Sequence, residues 1–169
     1  MFEFLKKKKQ VNNTNILKFV SPVNGKTLSL SEVPDPVFAQ KMAGEGLAIM
    51  PEDDVIVAPV DGEISLIFNT KHAFAMTLDN GVELLIHIGL ETVSLNGEGF
   101  EQLVETGTKV KAGTPIIKVN REFVKSKGLS LITMVLITNP NKVKSINPVD
   151  NVNTVAGETI ILEYEVEWF

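Results

Sequence analysis

The sequence predicts an all-β protein, an antiparallel β-sandwich or barrel with only a few short helical turns. Three observations predict it: short segments rich in β-branched and apolar residues, turns containing glycine or asparagine between them, and two repeated turn motifs. Many short strands must hide their edges, and a sandwich or a closed barrel does so. With 169 residues, of which 44% are hydrophobic, the chain fits one domain with a real core.

The predicted strands follow one another along the chain. In order they are ILKFV, KTLSL, GLAIM, EISLIF, HAFAMTL, VELLIHI, PIIKV, LITMVLIT and TIILEYEV. Between them stand VNG, PEDD, VDG, DNG, NGEG, KAG and NPN, in which Gly or Asn supplies a positive φ. PDPVFAQKMAG, FEQLVETG and REFVKSKG predict one or two helical turns each. The alternating C-terminal EYEVEWF predicts an extra or extended edge strand containing Tyr164 and Trp168.

Two internal repeats favour a duplicated β-architecture. The segment VSPVNG at 20–25 recurs as VAPVDG at 57–62, and each leads into a predicted strand. Ala-Gly at 112–113, followed by a pair of isoleucines, recurs at 156–157 with the same spacing. The spacing between the copies is not a regular solenoid period. The repeats therefore point to one duplicated sheet structure, although two similar turns can also arise by chance.

Composition excludes several kinds of site. The chain has no cysteine, so disulfides, thiolate metal sites and cysteine nucleophiles are excluded. Residues 1–10 carry four lysines against one glutamate, so the rest of the chain is more acidic than the formal −5 of the whole. An acidic body argues against a nucleic-acid ligand and favours basic protein partners.

The N-terminal segment MFEFLKKKKQ does not read as a leader. Its apolar run is too short for a signal peptide, and no stretch of the chain reaches the length of a transmembrane helix. We expect a free-standing cytoplasmic protein with a flexible tail at 1–14 and a single domain at 15–169. A weak contact of residues 1–10 with a membrane surface is the alternative for the tail.

Both histidines of the chain lie in one predicted hairpin, HAFAMTL-DNG-VELLIHI. If Asn80-Gly81 is a two-residue loop, Phe74 faces His87, and His72 shares a face with His87 as its diagonal neighbour, roughly 7–8 Å away at the backbone. Phe74, Met76 and Leu78 would then lie on the histidine face, as would Leu85 and Glu83. A three-residue loop would put the two histidines on opposite faces. Gly89 would leave space beside them for a ligand.

Three chemistries use a pair of imidazoles. A metal site needs a third ligand, which a carboxylate would have to supply. A serine triad lacks its nucleophile elbow and an obvious serine. The remaining chemistry uses one imidazole as a nucleophile and the other as a hydrogen-bond donor to an anion, which is feasible near neutral pH. Two ordinary structural histidines remain the alternative to all three.

Four segments together resemble the glucose-type enzyme IIA of the bacterial phosphoenolpyruvate:sugar phosphotransferase system. They are TKHAF, GVELLIHIGLETVSLNGEGF, VFAQKMAGEGLAI and APVDGEI, and the resemblance runs from about residue 16 to about residue 162. It implies a β-sandwich or barrel of duplicated hybrid topology. It also implies a phosphocarrier that accepts a phosphoryl group from the histidine-containing phosphocarrier protein and passes it to the IIB domain of a sugar permease.

The same resemblance assigns roles at the histidine pair. His87 matches the phosphorylated histidine, which attacks through Nε2, and His72 matches the histidine that hydrogen-bonds the phosphoryl group. Thr70 matches the threonine whose hydroxyl orients His72. Backbone amides near His87 would help to stabilise the phosphoryl group, and no metal or cofactor is expected. In some bacteria the unphosphorylated family member also binds permeases or metabolic enzymes.

An apolar patch that docks partners is implied around the pair. The resemblance places it at Val37, Phe38, Met42, Phe68, Leu85 and Val93, with rim carboxylates at Asp35 and Glu91. Position 91 departs from the family, which more often has aspartate there. Two rival hypotheses remain: a non-catalytic regulatory binding module, and a zinc hydrolase on a related duplicated β-fold that takes Asp35, Glu83 or Glu91 as its third ligand.

Overall fold

A computed structural model describes residues 16–166, and most of them belong to short antiparallel strands. The two α-helices within this range are α1 (Pro36–Ala39) and α2 (Arg121–Ser126), and single 3-10 turns lie at Leu30–Glu32, Thr92–Leu95 and Pro140–Lys142. The strands are β1 (Ile16–Val20), β2 (Gly25–Ser29), β3 (Glu45–Pro51), β4 (Val55–Val57), β5 (Gly62–Ile67), β6 (Ala73–Thr77), β7 (Glu83–Ile88), β8 (Phe100–Gln102), β9 (Lys109–Val110), β10 (Pro115–Val119), β11 (Thr133–Ile137), β12 (Val143–Pro148), β13 (Asn153–Thr154) and β14 (Ile160–Val166).

The strands within residues 16–166 form three sheets. The largest has eight strands in the order β13-β2-β3-β11-β7-β6-β5-β9, and two three-stranded sheets have the orders β1-β14-β12 and β4-β10-β8. Every strand pair is antiparallel. The predicted all-β antiparallel fold with a few short helical turns is therefore confirmed.

The two sequence repeats form reciprocal hydrogen bonds across the molecule. Val20 N donates to Pro59 O at 2.9 Å, and Val57 N donates to Pro22 O at 2.7 Å. The Ala-Gly repeat adds a second pair of equivalent bonds, in the first of which Gly157 N donates to the Ser21 carbonyl. In its counterpart, Gly113 N donates to Ala58 O. The side-chain bonds match as well, because Ala156 N donates to Asn24 Oδ1 at 2.7 Å and Ala112 N donates to Asp61 Oδ1 at 2.8 Å. The duplicated architecture predicted from the repeats is confirmed.

Alternating side chains of the large sheet serve two separate hydrophobic clusters. On β11, Val135 and Ile137 face the main core, whereas Met134 and Leu136 face the opposite side. That opposite side is covered by the segment 30–44, which contributes Phe38 to the second cluster. Burial on both faces explains why β11 is a continuous apolar run in the sequence. The covering segment also brings α1 to the face of the sheet that carries His87.

Several local predictions were wrong. The segment FEQLVETG is not helical: Phe100 is buried, and β8 pairs with β10. Tertiary burial overrides such a short helical pattern, since an isolated turn pays the full nucleation cost. Strand β12 was missed because its polar sequence ends in Pro148, which an edge strand tolerates.

The C-terminal strand differs from its prediction in position. β14 is the central strand of its sheet and not an edge strand, and Tyr164 is buried against Phe19. Trp168 lies outside the described residues, as do the predicted tail at 1–14 and the membrane contact proposed for residues 1–10. Between residues 16 and 166 no helix has the length and apolarity needed to cross a bilayer.

Candidate active site

His87 lies on the outer face of β7, near the end of that strand. Ile86 and Ile88 point into the main core, so alternation turns the His87 ring outward. Strands β6 and β11 flank β7, where His87 pairs with Ala73 on one side and with Met134 on the other. A central strand with both neighbours in place holds the ring on a rigid support.

A backbone carbonyl fixes one nitrogen of the His87 ring. Nδ1 lies 2.9 Å from the carbonyl oxygen of Gly89, and a carbonyl only accepts, so Nδ1 carries the proton. The neutral ring then has its lone pair on Nε2. Burial first, and the charge of His72 second, lower the pKa of His87 to about 4, against smaller raising effects of Gly89 and Asp35. The ring is therefore neutral at physiological pH.

His72 lies just before β6, in a turn that contains a left-handed residue. Lys71 has φ of 57°, which places the following His72 outside the regular pleat of the strand. The Thr70 hydroxyl lies 2.6 Å from Nδ1 of His72, within hydrogen-bond distance. The carbonyl of His72 accepts the amide of Ile88 at 2.7 Å, so its backbone is joined directly to the strand of His87. Burial also lowers the pKa of His72, which is 4% exposed.

The predicted register of the hairpin was wrong. The loop has three residues, because Leu78 N donates to Val82 O and Gly81 adopts φ of 86°. His87 therefore pairs with Ala73, and not with Phe74 as the two-residue loop would require. The side chains of Phe74, Met76 and Leu78 point into the core, away from the face of Leu85 and His87. The prediction had placed these three side chains on the same face as Leu85 and His87.

The two histidine rings nevertheless lie in contact, although strand alternation alone does not predict it. Their ring centroids are 4.9 Å apart, and the ring planes are at 81°. The turn at Lys71 redirects His72 before the pleat of β6 begins, so the three-residue loop does not separate the rings. Phe38 of α1 packs against His87 at 5.0 Å, and Phe68 packs edge-on against His72 at 5.4 Å. Two phenylalanines thus flank the imidazole pair.

Gly89 has a different role from the one predicted. A Cβ at Gly89, which has φ of 82°, would lie 2.5 Å from Cγ2 of Thr92 and 2.7 Å from the carbonyl oxygen of Ser130. The space is filled by the protein itself and is not left for a ligand. The amide of Gly89 donates to Ile132 O, and the amides on either side, of Ile88 and Leu90, also have backbone acceptors. These three amides are therefore not available to a phosphoryl group.

The predicted docking residues fall into two groups by exposure. Val37, Met42 and Val93 are 44%, 70% and 53% exposed. Phe38 is buried at 7%, and Phe68 and Leu85 are half-buried. The structure brings Phe38 and Phe68 to the histidine rings and puts Leu85 on the same face of β7 as His87. The exposed members rise from α1 and its C-terminal turn, and from the 3-10 turn after Gly89.

The two predicted rim carboxylates are held differently. Asp35 caps α1 by accepting the amide of Val37 at 2.9 Å, and its charge raises the pKa of His87 against the larger lowering. Glu91 is exposed and has a left-handed backbone with φ of 58°. The sequence pattern did not predict the exposure of Leu66, which is 49% exposed and lines a groove of about 360 Å³ with Phe68 and Leu85. Its position in EISLIF gives a core-like signal, and only the irregularity in pairing between Ile64 and Leu66 turns it outward.

The third ligand required by the zinc hypothesis is not brought to the histidines. Between residues 16 and 166, no three His, Cys, Asp or Glu side chains converge as a metal site requires. Asp35, Glu83 and Glu91 therefore do not complete a three-residue site with the pair.

Comparisons with known proteins agree with this geometry. Residues 17–143 match the family described as phosphoenolpyruvate-dependent sugar phosphotransferase system, EIIA 1. The PTS system glucose-specific EIIA component of Staphylococcus aureus is 44% identical over 143 residues, which cover 85% of this chain and 86% of that protein. Its counterpart in Staphylococcus epidermidis is 42% identical over 166 residues, covering 98% and 99%.

A solved structure shows the same fold. The glucose permease IIA from Mycoplasma capricolum superposes with a TM-score of 0.81 at 37% identity, over 88% of this chain and 95% of that one. The sequence match, the fold and the paired histidines agree with one another, and neither the zinc hydrolase nor a purely regulatory module accounts for all three. The chain belongs to the EIIA 1 family of the phosphoenolpyruvate-dependent sugar phosphotransferase system, and it is a phosphocarrier, a phosphotransferase component that carries its phosphoryl group as phosphohistidine in sugar uptake.

Proposed function

We propose that His87 carries the phosphoryl group and that Nε2 is the attacking atom. The observation that carries this proposal is the hydrogen bond of Nδ1 to Gly89 O, because it leaves the lone pair on the other nitrogen. The low pKa of His87, about 4, keeps the ring neutral and nucleophilic at physiological pH. Among residues 16–166 the only other imidazole is His72, which is almost fully buried.

The transfer step balances without a co-reactant. The Nε2 lone pair attacks phosphorus of the donor's phosphohistidine while the donor's P–N bond breaks, and that electron pair returns to the donor ring. The new P–N bond leaves positive charge on the His87 ring, and Nδ1–H directs part of it at Gly89 O. One high-energy P–N bond replaces another. The step is therefore readily reversible, and the phosphoryl group keeps the energy needed to pass on to the next acceptor.

We assign His72 the role of donor to the phosphoryl oxygens. Its Nδ1 faces the Thr70 hydroxyl, and if that hydroxyl donates, the His72 proton is on Nε2. A ring 4.9 Å from His87 by centroid is close enough to reach an oxygen of a phosphoryl group bound there. Thr70 is then the residue that fixes the tautomer and the rotation of His72.

The partners proposed are the histidine-containing phosphocarrier protein as donor and the IIB domain of a sugar permease as acceptor. The surface offered to both is the docking patch around the rings, with Val37, Met42 and Val93 as its exposed apolar members. Val37 and Met42 flank Phe38, which packs on His87, and Val93 follows His87 by six residues; exposed apolar side chains on such segments are typical of a protein interface. Asp35 and Glu91 add negative charge suited to cationic residues on a partner. The staphylococcal relatives are named glucose-specific, and we propose glucose as the sugar served.

Phosphorylation by purified components tests the proposal. The chain is incubated with phosphoenolpyruvate, enzyme I and the phosphocarrier protein, and its intact mass is measured before and after acid treatment. We expect one acid-labile phosphoryl group on the wild type and none on His87→Asn. A circular dichroism spectrum of His87→Asn serves as the folding control. Incorporation into folded His87→Asn would show that another residue is the acceptor.

A further inference from the structure

The turn that follows His87 is held by a buried threonine. Thr92 is 0% exposed, and its hydroxyl donates to the carbonyl oxygen of Ile88 at 2.5 Å. The bond spans the turn that contains Gly89, the residue whose carbonyl fixes the His87 ring. A hydroxyl this deeply buried needs its partner, because a lost bond there leaves a polar group without water.

Two successive peptide groups in this turn are each bonded on both sides. In the Ile88–Gly89 peptide, the carbonyl accepts the Thr92 hydroxyl, and the amide donates to Ile132 O at 2.9 Å. In the next peptide, the Leu90 amide donates to Ser130 O at 3.0 Å, which leaves the Gly89 carbonyl pointing the opposite way, toward Nδ1 of His87. A peptide group is planar, so fixing its amide fixes its carbonyl.

Thr92 also acts through its methyl group. Its Cγ2 lies 2.5 Å from the position that a Cβ on Gly89 would take, too close for a side chain there. The hydroxyl therefore holds the Ile88–Gly89 peptide by a hydrogen bond, and the methyl group lies beside the Cα of Gly89. Substitution to valine removes the first with little change of shape, and substitution to serine removes the second.

We propose that Thr92 is a positioning residue for the nucleophile: its hydroxyl clamps the Ile88–Gly89 peptide so that the Gly89 carbonyl holds the proton of His87 on Nδ1. This rests on the proposed function of His87. In water a neutral histidine ring carries its proton mainly on Nε2, where it blocks attack from that atom. A protein that uses Nε2 must therefore stabilise the other tautomer, and here a single carbonyl does so.

The full-length protein and its Thr92→Val and Thr92→Ser variants test this by nitrogen-15 NMR of the imidazole rings near pH 7, with no phosphoryl donor present. We expect the wild-type His87 signals to show Nδ1 protonated and Nε2 unprotonated. Thr92→Val should raise the fraction protonated on Nε2, and the phosphorylation rate should fall by about threefold to tenfold, the worth of one neutral hydrogen bond. Thr92→Ser should restore both values toward the wild type, and the His72 signals are the internal control.

The outcomes separate this inference from the proposed function. An unchanged His87 tautomer in folded Thr92→Val overturns the inference, whatever happens to the rate. A wild-type ring protonated on Nε2 overturns it without any variant, which covers the case in which Thr92→Val does not fold. If the tautomer shifts as expected but His87 is not the phosphorylated residue, the clamp stands as a structural device and the proposed function fails.

Discussion

The backbone of His72 is bonded to the strand that carries His87, and the two rings meet edge to face with centroids 4.9 Å apart. Each ring is fixed at Nδ1 by a different kind of partner, a hydroxyl for His72 and a carbonyl for His87. A carbonyl only accepts, whereas a hydroxyl can also donate. The pair is therefore built so that one ring presents a lone pair and the other can present a proton.

The first prediction concerns His72→Gln. Glutamine keeps a donor of shorter reach, so we expect His87 to accept a phosphoryl group still but to pass it on about 10²- to 10³-fold more slowly, the usual cost of a lost transition-state donor. Rapid-quench measurement of transfer to the IIB domain tests this. Thr70→Val should slow the same step by a smaller factor, because His72 remains but is no longer oriented. Equal transfer rates in wild type and His72→Gln would contradict the assigned role.

The second prediction is a dependence of stability on pH that comes from His87. Its pKa is about 4 in the folded chain and near 6.5 when unfolded, so between these values the unfolded state binds the proton and the folded state does not. Stability is therefore unaffected by this group above about pH 6.5 and falls as the pH drops toward 4. The full shift corresponds to about 3 kcal/mol.

Chemical denaturation of the wild type and His87→Gln at several pH values measures this effect. The free energy of unfolding of the wild type should fall more steeply between pH 6.5 and pH 4, and the difference between the two proteins should level off below pH 4. His72, whose pKa burial also lowers, is present in both proteins, so the difference between their profiles measures His87 together with its coupling to His72. Parallel pH profiles would show that the folded state does not exclude the proton from His87.

Much of the fold was predictable because the sequence contains two separate signals for it, the patterns of the strands and the repeated turns. The strand segments carry period-two or continuous apolar patterns, and the repeated VSPVNG and VAPVDG turns specify the duplication. The hairpin register was not predictable, because the choice between a two- and a three-residue loop depends on Gly81 adopting φ of 86° and on packing of Phe74 and Met76 into the core.

The residues of the candidate site were predictable from the sequence, but the backbone geometry that brings them together was not. Both histidines and Thr70 stand out in TKHAF and LLIHIG, yet their meeting depends on the left-handed turn at Lys71, a residue with no sequence signal for that backbone. The role of Gly89 was likewise hidden, since Thr92 and Ser130 are its neighbours only in the folded chain. Such contacts are set by tertiary packing and not by local pattern.

The third prediction tests the contact between the two repeats. A Cβ on Gly157, where φ is 76°, would lie 3.2 Å from Cα of Gly113. Gly128 has φ of 75° with nothing within 4 Å of its Cβ position, so Gly128→Ala has the same backbone strain without the crowding. We expect Gly128→Ala to cost about 1 to 2 kcal/mol and Gly157→Ala about 1 kcal/mol more. Urea denaturation of the two variants measures the difference, and equal losses would mean that the repeats do not press on each other there.

The fourth prediction concerns the docking patch and uses two valines of similar exposure. Val93 is 53% exposed in the turn after Gly89, and Val155 is 50% exposed beside the second repeat turn. Valine to serine at either position changes little in the folded chain, since each side chain is half in water. Of the two valines, only Val93 is proposed as a member of the docking patch, so Val93→Ser should weaken binding of the phosphocarrier protein about three- to tenfold, whereas Val155→Ser should leave it unchanged. Titration calorimetry with the unphosphorylated partner measures both affinities. Equal affinities for the two variants would place the interface elsewhere on the surface.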